Sequence, residues 1–132
     1  MSSVFTKIIN NELPCYKIHE DDHTISILTI APIQLGHTLV ISKKEIDHWL
    51  DVEDEAYIQV MINAKKISMA IQRATGCKRI GTSIQGWEVP HFHYHLIPMF
   101  DPSDINFSKQ KERSQDEMKQ IADKIKNELA YF

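Results

Sequence analysis

The chain has 132 residues, 42% of them hydrophobic and 25% charged, with a formal net charge of −3. This length and balance suit one domain with a buried core, and the acidic excess argues against a general nucleic-acid-binding surface. No apolar run approaches membrane-spanning length, and the start, MSSVFTKIINNELP, lacks the apolar stretch of a signal peptide, so a cytoplasmic protein without a membrane partner is expected.

Phe5 to Asn10 suits one short helical turn ahead of Pro14. Cys15 and Cys77 form no CxxC pair and read as two free thiols. Tyr16–Glu20 and Thr24–Ile30 read as two strands, and the EDDH between them supplies turn-forming acids, so a hairpin is expected. HTLVIS, after Gly36, reads as a third strand. Tyr57, Val60, Met61, Ala64, Ile67, Ile71 and Ala74 then recur at helical spacing, between an acidic start at Asp51–Asp54 and a stop at Gly76. The spacing predicts a helix over about Val52–Thr75, with a stripe suited to core or to a dimer surface. Arg79–Gln85 suits a fourth strand. The next stretch, VPHFHYHLIPMF, suits a fifth, with its exit at Pro98.

After a loop, Met118, Ile121, Ala122, Ile125 and Leu129 outline a C-terminal amphipathic helix within about 108–132. Ser114 with Glu117 resembles its capping box. The strands mostly follow one another without crossover helices. An α+β fold is therefore expected, an antiparallel sheet of about five strands with a short, a long and a C-terminal helix in one domain spanning 1–132.

His91, His93 and His95 stand at alternate positions. In a strand they share one face, while Phe92, Tyr94 and Leu96 share the other. The apolar side would pack on a core and the imidazoles would face a cleft or solvent. Two chemistries suit such a row. Adjacent histidines can converge on zinc, but the outer pair lies about 13 Å apart at the backbone, so a third ligand would come from elsewhere, and His37 is the best candidate. Alternatively, a neutral imidazole attacks phosphorus when one nitrogen keeps a free lone pair, and flanking imidazoles donate to phosphoryl oxygens or to a leaving group. A row suits an extended phosphate ester better than a compact ion. His93, with a donor on either side, is the natural nucleophile. His19, His23 and His48 lie in turn or surface contexts and read as solvated.

HFHYHLI resembles the histidine triad motif, and VFTKIINNELPCYKIHEDD and AP-x-x-x-GHTLVISKK also resemble the histidine triad family, over most of residues 4–100. The resemblance implies an antiparallel sheet with flanking helices, usually paired as a homodimer. It implies nucleotidyl transfer or hydrolysis at the α-phosphate of a nucleotide conjugate, with no required cofactor. His93 would form a covalent nucleotidyl-histidine, and His95 would contact the phosphate. His91 would support His93, largely through its backbone carbonyl, and His37 would buttress the triad. Phe5, Ile8 and Ile27 match positions that wall the base pocket.

Three residues depart from the family pattern. Trp87 stands where a phosphate-contacting glutamine is common, and Glu88 where a serine often donates to the leaving group. Thr29 stands where an acidic residue commonly grips the ribose. Ser83 and Gln85 are candidate replacements. The implied activity is hydrolysis of nucleoside phosphoramidates or related conjugates. The alternatives are a nucleotide-binding regulator with weak turnover, kept open by Trp87, Glu88 and Thr29, and a dinucleoside polyphosphate hydrolase. Nothing is carried from the family onto the last 30 or so residues.

Overall fold

A computed structural model describes residues 2–132. Helix α1, Val4–Ile9, opens at Ser3, whose Oγ accepts from the Thr6 backbone N–H. Strands β1 (Lys17–Glu20) and β2 (Thr24–Leu28) form the expected hairpin, and β3 (Thr38–Ser42) pairs with β2. Helix α2, Asp54–Thr75, ends on Gly76, whose φ of 72° suits the left-handed cap that glycine adopts without a Cβ penalty. Strands β4 (Arg79–Ser83) and β5 (His93–Met99) follow, then α3, Gln115–Leu129. The Ser114–Glu117 capping box is present.

The sheet is antiparallel in the order β1-β2-β3-β5-β4. Its strand ends depart from their sequence signals. β2 stops at Leu28, β4 stops at Ser83, and β5 runs through Pro98 to Met99. Pro98 is tolerated inside β5 although it offers no N–H to the ladder.

Each face of the sheet carries its own apolar layer. Leu28, Val40 and Leu96 meet the stripe of α2, with α3 completing that layer through Met118, Ile121 and Ile125. The α2 stripe is core: Val60, Ala64, Ile67 and Ile71 are buried, and Tyr57, Met61 and Ala74 pack against them. A buried Val or Ile contributes about 1.5–3 kcal/mol, which fixes α2 on its own sheet and leaves this stripe unavailable to a second copy. On the opposite face, Ile25, Ile27, Leu39 and Ile41 lie under Phe5 of α1. The β3–β5 register pairs Ile41 with His93 and Leu39 with His95, so both imidazoles belong to this second face.

Two single turns of 3-10 helix, Pro102–Asp104 and Phe107–Lys109, order the loop after β5. The loop is tied to the segment before β3. Gln110 Nε2 donates to Ala31 O (3.0 Å), and the Lys111 N–H donates to Pro32 O (3.2 Å). No helix among the described residues is long and apolar enough to cross a membrane.

Candidate active site

Strand β5 begins at His93, so only His93 and His95 belong to the regular strand; His91 sits in the turn before it. Of the two settings expected for the row, cleft or solvent, the rings are closed off from solvent, and His93 lines a hollow. His91, His93 and His95 are 0%, 2% and 2% exposed. Phe5 covers one end, with its ring centroid 5.0 Å from that of His93. Phe107 covers the other, 4.8 Å from His95.

Backbone groups fix the proton on each ring. His91 Nε2 lies 2.6 Å from the Ser42 carbonyl and must donate to it. Its Nδ1 therefore accepts from the Ser3 hydroxyl, 2.6 Å away. His93 Nδ1 donates to the carbonyl of His91 over 2.7 Å, which leaves Nε2 of the neutral ring as a bare lone pair. His37 follows Gly36, whose φ of +105° makes the turn into β3. Its Nδ1 accepts the Ile33 N–H at 3.1 Å, so its Nε2 carries the proton and donates to His95 Nδ1 at 3.0 Å. His95 in turn carries its proton on Nε2.

Burial keeps the outer rings neutral. Desolvation pushes His37 down to about 4. Desolvation, then the neighbouring His37 and His93, push His95 down to about 3. Desolvation also lowers His91, against the Ser42 carbonyl, which raises it. The arrangement thus offers one free lone pair, on His93, and one fixed N–H donor beside it, on His95.

The remaining sequence candidates fall into four groups. Phe5 and Ile27 are buried together in the second apolar layer, with Ile8 packed against them. Thr29, half-buried one step past β2, follows the Ile25–Ile27 alternation, and its N–H donates to His37 O at 3.2 Å. Ser83 pairs with His95 across β4–β5, and its Oγ accepts from Gln85 Nε2 at 3.1 Å. Trp87 and Glu88 lie exposed on the loop between β4 and β5. Residues that the sequence reading left out also reach the site. Ser3 and Ser42 hold His91, and Phe107 covers His95 from the region to which the family pattern was not extended.

The alternative zinc set, His37 with two triad histidines, is disfavoured by the hydrogen bonding of His37. His37 Nε2 is occupied by its hydrogen bond to His95. The group that does cluster is Glu88, His93 and His95, with one candidate ligand atom each within 4.8 Å of one another. Its donors suit a cation poorly, because the nitrogen of His95 left for the site carries a proton. One of the three other histidines also differs from the solvated reading. His19 lies within β1 with Nδ1 buried and without a partner among the described residues, whereas His48 is exposed as expected and caps the 3-10 turn Trp49–Asp51, accepting from the Leu50 N–H.

The HIT domain model matches residues 10–101. An uncharacterized HIT-like protein of Borreliella burgdorferi is 39% identical over 113 residues, 80% of this chain and 81% of that one. An adenosine 5'-monophosphoramidase of Schizosaccharomyces pombe is 32% identical over 99 residues, 74% of each. The crystal structure of a HIT-like protein from Bartonella henselae superposes with a TM-score of 0.85 at 30% identity, covering 96% of both chains. A zinc-bound histidine triad family protein from Mycobacterium smegmatis gives 0.86 at 26% identity, covering 99% of this chain and 95% of that one. Motif and sheet agree with these likenesses, and the chain belongs to the histidine triad (HIT) family.

Proposed function

We propose that the protein is a nucleotide hydrolase that cleaves nucleoside phosphoramidates or related conjugates at the α-phosphate, with His93 as nucleophile. The observation that carries this reading is the 2.7 Å bond from His93 Nδ1 to the His91 carbonyl. It selects the tautomer whose Nε2 can bond to phosphorus. The likeness to adenosine 5'-monophosphoramidases supports the substrate class.

In the first step Nε2 of His93 bonds to the α-phosphorus, and the bond from phosphorus to the amine nitrogen breaks. His95 Nε2–H donates to a phosphoryl oxygen and stabilises the charge that builds there. His95 is a fixed donor and not an acid. Passing its proton on would need a replacement from His37, and that relay ends on the Ile33 amide. The departing amine takes its proton from a water molecule beside Glu88, the carboxylate that clusters with both rings, and the proton released when water later attacks phosphorus restores the balance. Water then attacks the nucleotidyl-histidine, the P–N bond to His93 breaks, and the nucleotide leaves. Phe5, Ile8 and Ile27 wall the base, Thr29 faces the sugar, and Ser83 and Gln85 contact the phosphate. The active form is a homodimer.

Rapid quenching with adenosine 5'-phosphoramidate labelled at phosphorus tests this. The label should map to His93, and His93→Ala should lose turnover by several orders of magnitude. Label on His91 or His95, or near-normal turnover by His93→Ala, would refute the covalent route.

A further inference from the structure

We propose that the hollow beside His93 walled by Trp49 and Trp87 is a leaving-group subsite for a planar aromatic amine. This rests on the phosphoramidase reading and specifies which conjugates the site prefers. The hollow has a volume of about 550 Å³ and is lined by Asp47, His48, Trp49, Gln85, Trp87 and His93 among others. That volume lies within the ordinary range of small-molecule sites, about 300–1,000 Å³.

Its position is the first argument. The apolar layer of Phe5 and Ile27 lies on the β2–β3 side of His93. The hollow lies at the end of the sheet where β3 and β4 finish and β5 begins, built from the connection after β3 and the connection between β4 and β5. His93 is the first residue of β5, so a phosphorus atom bonded to it would have the apolar layer over the sheet for its nucleoside and open volume at the strand end for its other substituent.

Composition is the second argument. The chain has two tryptophans, and both line this hollow. Trp87 is 89% exposed and Trp49 is 40% exposed, so large ring faces are available for stacking. Trp49 is braced by Tyr57, with ring centroids 6.1 Å apart and planes tilted by 30°. Neither tryptophan is needed to fill the core. Indole faces favour flat rings and also attract a cation.

Charge is the third argument. The lining includes the carboxylate of Asp47 and no Lys or Arg, and Glu88 stands beside His93. Pyrophosphate, sulfate or a second nucleotide would bring negative charge against carboxylates with no cation to offset it. An amine leaves neutral or protonated, and either form is accommodated.

The test compares adenosine 5'-phosphoramidate with its N-(2-naphthylmethyl) and N-(cyclohexylmethyl) derivatives. The wild type should favour the naphthylmethyl compound over the cyclohexylmethyl one at least tenfold in kcat/KM. Trp49→Ala and Trp87→Ala should each reduce that ratio by about fivefold or more. A ratio near one, or a ratio that neither variant moves, would overturn the subsite. If no compound is turned over, the phosphoramidase reading fails separately. Equilibrium binding of the same pair to His93→Ala then decides the subsite on its own, through the same aromatic preference and the same loss with either tryptophan removed.

Discussion

His37 and His95 form a one-way relay: Nε2 of His37 donates to Nδ1 of His95 at 3.0 Å, with the direction set by the Ile33 amide on the far side of His37. Neither His37 nitrogen is left for substrate. Its role is to keep His95 as an Nε2–H donor. His37→Phe keeps the volume and removes the instruction. Turnover should fall about 10- to 100-fold, the usual cost of losing a hydrogen-bonding partner that orients a functional histidine. The label trapped on quenching should still map to His93 while accumulating more slowly. An unchanged rate would show that His95 needs no partner.

The same rings make stability depend on pH. Burial holds His37 down to about 4 and His95 to about 3, both below the ordinary histidine value of 6.5. Between about pH 6.5 and those values the unfolded chain binds protons that the folded chain refuses. Their contribution to stability is therefore complete above 6.5 and is lost as pH falls, by about 1.4 kcal/mol per pH unit for each ring. The carboxylates held low, such as Glu20 at about 2 beside Lys17 and Lys43, lose their contribution only below the ordinary carboxylate range. Urea midpoints at pH 6.5 and 4.5 isolate the histidines. The midpoint should drop across this window, with a shallower slope in His37→Phe. A flat profile would mean that the rings protonate without unfolding.

Thr29 follows the alternation of Ile25 and Ile27 toward the site face and is half-buried. If it faces the sugar, Thr29→Asp should strengthen the grip on ribose hydroxyls, because a carboxylate accepts charge-assisted hydrogen bonds. The ratio of affinities for a ribonucleotide and its deoxy counterpart should rise about three- to tenfold. A fixed ratio would place residue 29 away from the sugar.

The α2 stripe legible in the sequence is buried against its own sheet, so a dimer must use other surfaces. We choose one for test: β4, an edge strand, together with Ile58, Ile62 and Met69, exposed on α2. Sedimentation at micromolar concentration should give twice the 15.3 kDa of one chain, and Ile62→Glu should weaken association at least tenfold. A wild-type monomer would exclude the homodimer.

Element order was legible because the signals are local. Alternation marked β5, helical spacing marked α2, and Ser114 with Glu117 marked the start of α3. The site was only half legible. His93 and His95 announce themselves by spacing, but their enclosure depends on residues far away in the chain. Ser3 reaches His91 across 88 positions, and Phe107 reaches His95 through a loop held by Gln110 and Lys111 on the segment before β3. A serine near the start and a phenylalanine in a polar loop carry no periodic signal. The zinc alternative at His37 meets a related obstacle. Spacing cannot tell a nitrogen free to bind metal from one already bonded to a neighbouring ring.

That distinction yields a test for metal. Zn–N distances are about 2.0–2.1 Å, so ligand atoms on one ion lie within about 4.2 Å of each other. Glu88, His93 and His95, within 4.8 Å, need only a small adjustment. The obstacle is protonation. His95 can offer Nε2 only if its proton moves to Nδ1, and Nδ1 must then donate to His37. His37 would in turn hold its proton on Nδ1, facing the Ile33 N–H at 3.1 Å. Two donors would then oppose each other in a buried place, at a cost of about 1–3 kcal/mol for the lost bond. Activity should therefore survive exhaustive chelation, and micromolar zinc should inhibit the wild type weakly. His37→Ala removes the constraint and lets His95 take the other tautomer. Zinc should then bind at least tenfold tighter, measured by competition with a chelator, and Glu88→Gln should reverse part of that gain. Loss of wild-type activity on chelation with recovery by zinc would show that the ion is used. Equal zinc affinity in the wild type and His37→Ala would show that the relay does not govern the proton on His95.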